Sequence, residues 1–161
     1  MQIRNKILST IILFFFCFTF CLKADEFDIS AKEIVIDKDN KVIIGKGSVS
    51  AKDKEGKIIY GDKITYKKNL EFILAEGNVE ILDLDGNIIK TDEASYDKLN
   101  GEIIAKANTT IIIKKGYEII GKNILYQTTK RLLNSNEESI FTDIDGNIIE
   151  TSMFQYDIKD K

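Results

Sequence analysis

The chain has 161 residues, of which 43% are hydrophobic and 30% charged, and it contains no histidine, tryptophan or proline. This composition is typical of a soluble globular protein of about one domain. The lack of histidine excludes Ser-His-Asp and Cys-His catalytic sites, zincin sites and two-histidine metal sites. We therefore expect a protein that is not an enzyme and that carries no cofactor and no metal.

Residues 1–24 have the organisation of a secretory signal peptide. They begin with a short basic segment, continue with an apolar run from Ile7 to Leu22, and end at Ala24 before two acidic residues. The apolar run is shorter than the roughly 20 residues that a membrane-spanning helix needs. An uncleaved membrane anchor is the alternative. We expect cleavage and export to the periplasm, either free there or associated with the outer membrane.

The remaining residues, 25–161, are expected to form a single domain. Both cysteines, Cys17 and Cys21, lie in the leader, so the exported part has no thiol and no disulfide. It keeps 20 basic and 26 acidic residues, a net charge of −6. Nucleic acid is therefore not an expected partner, because its phosphates attract basic surfaces.

A repeat of 30 residues runs through this domain. Three columns of identical residues hold the interval: Tyr66, Tyr96, Tyr126 and Tyr156; Gly56, Gly86, Gly116 and Gly146; and Ile59, Ile89, Ile119 and Ile149. Such a period is the signature of a protein built from stacked structural units.

Each unit is predicted to contain three or four short antiparallel strands. Apolar and polar residues alternate with a period of two, as in Val79 and Ile81, and helical spacing is absent after the leader. Asp85-Gly86 and Asp145-Gly146 are typical of tight turns and lack the later ligands of a calcium loop. The fold class is therefore all-β.

Corners such as Gly61-Asp62 let the strand recover its inward face after each bend. The inward-facing apolar residues are predicted to be Ile59, Ile64, Tyr66, Ile73, Val79, Ile81, Ile89, Tyr96, Ile103, Ile111, Ile119, Ile124 and Tyr126. The outer face should carry charged residues, among them Lys98. Whether the tyrosines only pack in a core or also contact a ligand is left open.

The repeat also carries a recognisable motif. Residues 61–66 read Gly-Asp-Lys-Ile-Thr-Tyr and residues 75–79 read Ala-Glu-Gly-Asn-Val; residues 91–96 and 105–109 read Thr-Asp-Glu-Ala-Ser-Tyr and Ala-Lys-Ala-Asn-Thr. Lys122 replaces the aspartate in the following unit. The pattern resembles the OstA-like or LptA-like domain of lipopolysaccharide transport, found in a periplasmic carrier and in the periplasmic N-terminal part of the outer-membrane assembly protein.

The resemblance implies an open β-jellyroll, folded like a taco and left open along one seam, whose apolar interior holds the acyl chains of lipopolysaccharide. The inward residues given above would then line the groove. Expected partners are lipopolysaccharide, homologous jellyroll domains that stack end to end by strand addition, and the outer-membrane assembly machinery.

Two alternatives remain at this stage. The repeat also suits a structural β-solenoid or adhesin-type protein with a filled core. The chain stops midway through a unit, shortly after Tyr156. Truncation of the domain at its C-terminal end is therefore the second alternative, and the domain could belong either to a free carrier or to a longer barrel protein.

Overall fold

The computed structural model describes residues 27–159. The predicted signal peptide lies outside this range. The described chain forms β1 (Phe27–Ser30), β2 (Glu33–Asp37), β3 (Val42–Asp53), β4 (Ile58–Lys67), β5 (Phe72–Leu82), β6 (Ile88–Asp97), β7 (Glu102–Ile112), β8 (Glu118–Gln127), β9 (Leu132–Ser135), β10 (Ser139–Thr142), β11 (Ile148–Thr151) and β12 (Phe154–Asp157). A 3-10 turn at Lys68–Leu70 is the one helical element in this range, which therefore holds no helix able to span a membrane. The predicted all-β class is confirmed.

The strands form one antiparallel sheet in which β3 to β8 follow each other in chain order. Three pairs of shorter strands extend this series at its ends. Both β1 and β2 pair with β3, both β9 and β10 pair with β8, and β11 and β12 pair with β10 and β9 respectively. Each short pair therefore corresponds to one long strand that is interrupted halfway.

Every long strand bends near its middle, where the pairing register shifts. The shift between β3 and β4 falls between Lys46 and Val49, and the one between β5 and β6 falls between Glu76 and Val79. An extra residue in one strand bends it and increases its twist. The corners predicted from the sequence are thus present, and the predicted short strands are the two halves of each bent strand.

The bends fold the sheet into two layers. The first layer contains β1, β10, β11 and those halves of β3 to β8 that are hydrogen-bonded in one series with them. The second layer contains β2, β9, β12 and the other halves of β3 to β8. Along one side the layers are joined by the continuous backbone of the bends. Along the opposite side the turns of the two layers approach each other, and we call this line the seam.

The core lies between the layers. All thirteen residues predicted to face inward are buried, with exposed fractions of 0–3%. Alternate residues of a strand point to opposite faces, so the period of two in the sequence selects this set. Their inward position is observed, whereas their contact with a ligand stays a prediction.

Candidate binding groove and its seam

Two apolar rows face each other across the interior. Strand pairing places the residues of each row side by side on neighbouring strands. The first-layer row is Ala51, Ile59, Ile81, Ile89, Ile111, Ile119, Phe141 and Ile149, and the second-layer row is Tyr66, Ile73, Tyr96, Ile103, Tyr126, Leu133 and Tyr156. An uninterrupted apolar strip therefore runs along the sheet inside each layer.

The interior is filled in this structure, because side chains such as Ile81 and Ile103 have no exposed surface. The predicted open jellyroll sheet is confirmed, and its apolar interior is closed in this structure. The sheet is open in its strand pairing, but its two layers are in contact. The physical reason is that an empty apolar groove exposes its walls to water, and closing the layers removes that surface.

The tyrosine column closes the seam. Each tyrosine of the second layer contacts a residue from the opposite layer, at or near a first-layer turn, and we call these contacts the first to fourth seam pairs. They are Phe27/Tyr66, Lys57/Tyr96, Asp83/Tyr126 and Tyr117/Tyr156. The spacing of 30 residues in the sequence thus becomes a regular line of contacts in space.

The second seam pair is polar and buried. Lys57 Nζ donates a hydrogen bond to Tyr96 Oη at 2.7 Å and lies 4.0 Å from the ring centre. Only 4% of Lys57 is exposed, and burial lowers its pKa, against the opposing effect of Asp53 and Glu55. One oxygen of the buried Asp53, Oδ2, has no hydrogen-bond partner within the described chain.

The third seam pair is also a hydrogen bond. Tyr126 Oη donates to Asp83 Oδ2 at 3.0 Å, and the same oxygen accepts from Asn87 Nδ2 at 2.8 Å. Burial raises the pKa of the Tyr126 hydroxyl, and the negative charge of Asp83 raises it further. On the outer side Arg131 donates to Asp85 at 2.7 Å, which adds an exposed ion pair across the seam.

The two outer seam pairs are aromatic. Phe27 and Tyr66 are both buried and pack edge to face with ring centres 4.9 Å apart. Tyr117 and Tyr156 pack more loosely, at 6.3 Å, and 38% of Tyr117 is exposed. Burial and the neighbouring Tyr117 raise the pKa of Tyr156. The seam is therefore polar in its middle and aromatic at both ends.

The seam overturns one expectation and adds residues that the sequence reasoning missed. Lys98 does not lie on the outer face: its side chain is only 9% exposed, 3.7 Å from Glu55 and 5.6 Å from the ring centre of Phe27. Its turn belongs to the seam, where the aliphatic stem of a lysine can cover an aromatic ring. The cross-layer roles of Lys57 and Asp83 were also missed, although both lie in the turn columns of the repeat.

The ends of the sheet differ from its centre. Ile34 and Ile36 continue the inward columns in β2, and Ile149 continues them in β11, yet all three are exposed. Among the described strands, β2 and β11 each have a neighbour on one side only. The apolar rows therefore end in exposed side chains at two sheet edges.

Within residues 27–159 no group of three or more acidic side chains is arranged to hold a metal ion. The described residues instead form two apolar rows packed against each other, with polar groups in the middle of the seam.

Comparison with known proteins establishes the fold. Neither a protein-family model nor a curated protein sequence matches the chain. Among solved structures it is similar to LptH, described as the LptA-homologous periplasmic component of the lipopolysaccharide transport device of Pseudomonas aeruginosa. The match has 16% sequence identity and a TM-score of 0.59, and it covers 79% of this chain and 96% of LptH. The chain therefore has the LptA-like β-jellyroll fold that the resemblance of its motifs implies.

Proposed function

We propose that the protein is a non-catalytic module that binds lipopolysaccharide and shields its acyl chains during transport across the periplasm. It would act as a bridge component or as the N-terminal domain of the outer-membrane assembly protein. The observation that carries this proposal is the pair of continuous apolar rows facing each other inside a sheet with the fold of LptH.

The energetics favour such a groove. Each methylene removed from water contributes about 0.8 kcal/mol, so a twelve-carbon chain represents roughly 10 kcal/mol as an upper bound. Because the interior is filled, the layers must separate before a chain enters. The chain would then replace contacts between the layers, and the strand pairing within each layer would stay intact. Opening the groove thus exchanges one apolar surface for another.

Photocrosslinking at adjacent positions tests the proposal. Ile111 is 1% exposed and faces inward, whereas the neighbouring Ile112 is 37% exposed and faces outward. A photoreactive residue at 111 should crosslink to purified lipopolysaccharide, and the same residue at 112 should not. Equal crosslinking at both would indicate non-specific association, and the absence of crosslinking at both would contradict the proposal.

The filled interior favours a second candidate, a structural repeat protein. Such a protein would keep its layers closed in the presence of lipid. The crosslinking experiment separates the two, because a permanent core at Ile111 would not react with added lipopolysaccharide.

The exposed sheet edges support a further part of the proposal, stacking with homologous jellyroll domains. Ile149 of β11 and Ile34 of β2 extend the inward columns at opposite edges, next to unpaired backbone groups. Strand addition at such edges is a common mode of association. Purified protein should associate with rising concentration, and Ile149→Asp should weaken that association. Concentration-independent behaviour of the unchanged protein would contradict stacking.

A further inference from the structure

The two layers are held together in two different ways. On the bend side they share a continuous backbone, and at the seam the contacts among residues 27–159 that join them are between side chains. Separating the layers at the seam would therefore break the seam pairs and the apolar contacts while leaving the strand-pairing hydrogen bonds in place. The seam pair whose contacts cost the least free energy to break determines where such an opening begins.

The seam pairs are not equivalent. The second and third are hydrogen bonds of buried side chains, Lys57 to Tyr96 and Tyr126 to Asp83. Hydrogen bonds that involve charged groups are stronger than neutral ones and depend on direction. Opening the second pair removes a hydrogen bond from the buried Lys57 ammonium, and opening the third leaves Asp83 Oδ2 with its bond from Asn87 but without the one from Tyr126. Both pairs therefore oppose separation.

The repeat replaces these groups at the fourth pair. Thirty residues after Asp83, Asp85 and Asn87 stand Ile113, Lys115 and Tyr117. No carboxylate is therefore available at position 113 to accept a bond from the hydroxyl of Tyr156. The turn itself does not require the change, because Asp143, a further 30 residues on, accepts the same bonds from Asp145 and Asn147 that Asp83 accepts in its own turn.

The fourth pair also adjoins apolar surface that is within reach of solvent. Phe141 of the first layer packs edge to face on Phe154 of the second, with ring centres 4.9 Å apart, and lies 6.0 Å from Tyr156. All three are only partly buried, and they adjoin the buried Leu133, which stands next to Tyr156 in the second-layer row. A hydrocarbon chain that displaced this cluster would be in direct continuity with the interior.

We propose that the groove opens first at the fourth seam pair, that a hydrocarbon chain enters there, and that the Lys57/Tyr96 and Asp83/Tyr126 pairs are latches that hold the rest of the seam closed. The identity of the entering chain rests on the proposed function. The order of opening does not, and it can be measured without any lipid.

Two pairs of exposed positions across the seam report on this order. Leu84 and Thr129 flank the third seam pair, and Lys114 and Lys159 are their equivalents 30 residues later. Cysteines at each pair, in a chain with Cys17→Ser and Cys21→Ser, allow spin labels to be attached and their separation to be measured by pulsed electron paramagnetic resonance. Without lipid, the 84/129 distances should be narrowly distributed and the 114/159 distances broad.

Exchanging residues between the third and fourth seam pairs tests whether these pairs cause the difference in distance distribution. Tyr126→Phe removes a latch and should broaden the 84/129 distances. Ile113→Asp with Tyr117→Asn rebuilds the Asp83 turn beside Tyr156 and should narrow the 114/159 distances. Circular dichroism of each variant verifies folding, and Asp83→Asn offers a second way to weaken the latch. Equal widths in the unchanged protein, or no response to any of these changes, would overturn the proposal.

Adding purified lipopolysaccharide then tests the entry point. The 114/159 distance should increase at a lower lipid concentration than the 84/129 distance. The reverse order, or no change at 114/159 while a photoreactive residue at 111 still crosslinks, would overturn entry at the fourth pair. If a photoreactive residue at 111 does not crosslink to lipopolysaccharide while Tyr126→Phe still broadens the 84/129 distances, the result counts against the proposed function alone.

Discussion

The third and fourth seam pairs lie at equivalent turns of the repeat but join the two layers by different contacts. In the third, a buried carboxylate, Asp83, accepts a hydrogen bond from Tyr126; at the fourth, Ile113 occupies the position equivalent to Asp83, and the aromatic rings of Tyr117 and Tyr156 meet instead. Duplication thus conserves the positions of side chains, and single replacements within the columns change the chemistry of the contact. In this way, two ends of a repeated fold can differ in the contacts that join their layers.

A similar contrast separates the inside of the sheet from its last strands. Ile119 and Ile149 belong to one column, yet the former is 0% exposed and the latter 65%. β8 pairs on one side with β7 and on the other with β9 and β10, whereas β11 pairs with β10 alone in the part of the chain that the structure describes. Position in the repeat therefore sets the direction of a side chain, and the neighbouring strands determine its burial.

Aspartate substitutions at these two isoleucines should give the largest difference. Ile119→Asp places a carboxylate in an apolar core and should lower the free energy of unfolding by roughly 3–5 kcal/mol. Ile149→Asp should change it by about 0.5 kcal/mol or less, as at other exposed sites. Urea unfolding followed by circular dichroism at low protein concentration gives both values. Similar losses at the two positions would show that the last strands are covered in solution.

Removing single hydroxyl groups should give the next largest contrast. Tyr126→Phe leaves Asp83 without one of its hydrogen bonds in a buried site and should cost about 1.5–3 kcal/mol, the range for bonds to charged groups. Tyr156→Phe removes a hydroxyl from an aromatic pair and should cost less than about 0.5 kcal/mol. Denaturant unfolding of both variants compares them under identical conditions, and an equal cost would contradict the distinction between the two seam pairs.

The sequence predicts the strands and their inward-facing residues well, but it does not predict that the two layers are closed against each other. The period of 30 and the alternation of residues such as Ile59 and Ile89 depend on local geometry, which a sequence displays directly. Closure of the layers depends on pairs such as Lys57 and Tyr96, 39 residues apart. A lysine at a turn is ordinarily exposed, so only the geometry of the folded sheet identifies it as a buried seam residue.

Two equivalent positions in the bends should give a stability difference of intermediate size. Gly77 has φ of +74°, and a Cβ there would lie 2.6 Å from Asp62 Oδ2, whereas the next repeat already carries Ala107 at φ of +60°. Gly77→Ala should cost about 1–3 kcal/mol, because it combines an unfavourable φ with a clash. Ala107→Gly should be neutral or stabilising by up to about 1 kcal/mol. Thermal unfolding distinguishes the two, and a loss at Ala107→Gly would mean that the methyl group has a packing role.

The smallest expected effect concerns pH and Lys57. Burial holds the pKa of Lys57 below its usual value of 10.5, so in the range between the folded pKa and 10.5 the unfolded chain binds more protons than the folded one. Stability from this group therefore rises as the pH rises through that range and is lowest below it, where the folded protein buries the charge.

Subtracting the unfolding free energy of Lys57→Met from that of the unchanged protein isolates this contribution, because Tyr126 is present in both chains and its alkaline titration largely cancels. The difference should shift in favour of the unchanged protein as the pH rises towards 10.5, whatever constant offset the lost bond to Tyr96 adds. Lys52→Met, at an exposed position of β3, controls for the loss of one positive charge. A difference that stays flat or falls with pH would mean that water reaches the Lys57 ammonium, and the second seam pair would then be too weakly buried to act as a latch.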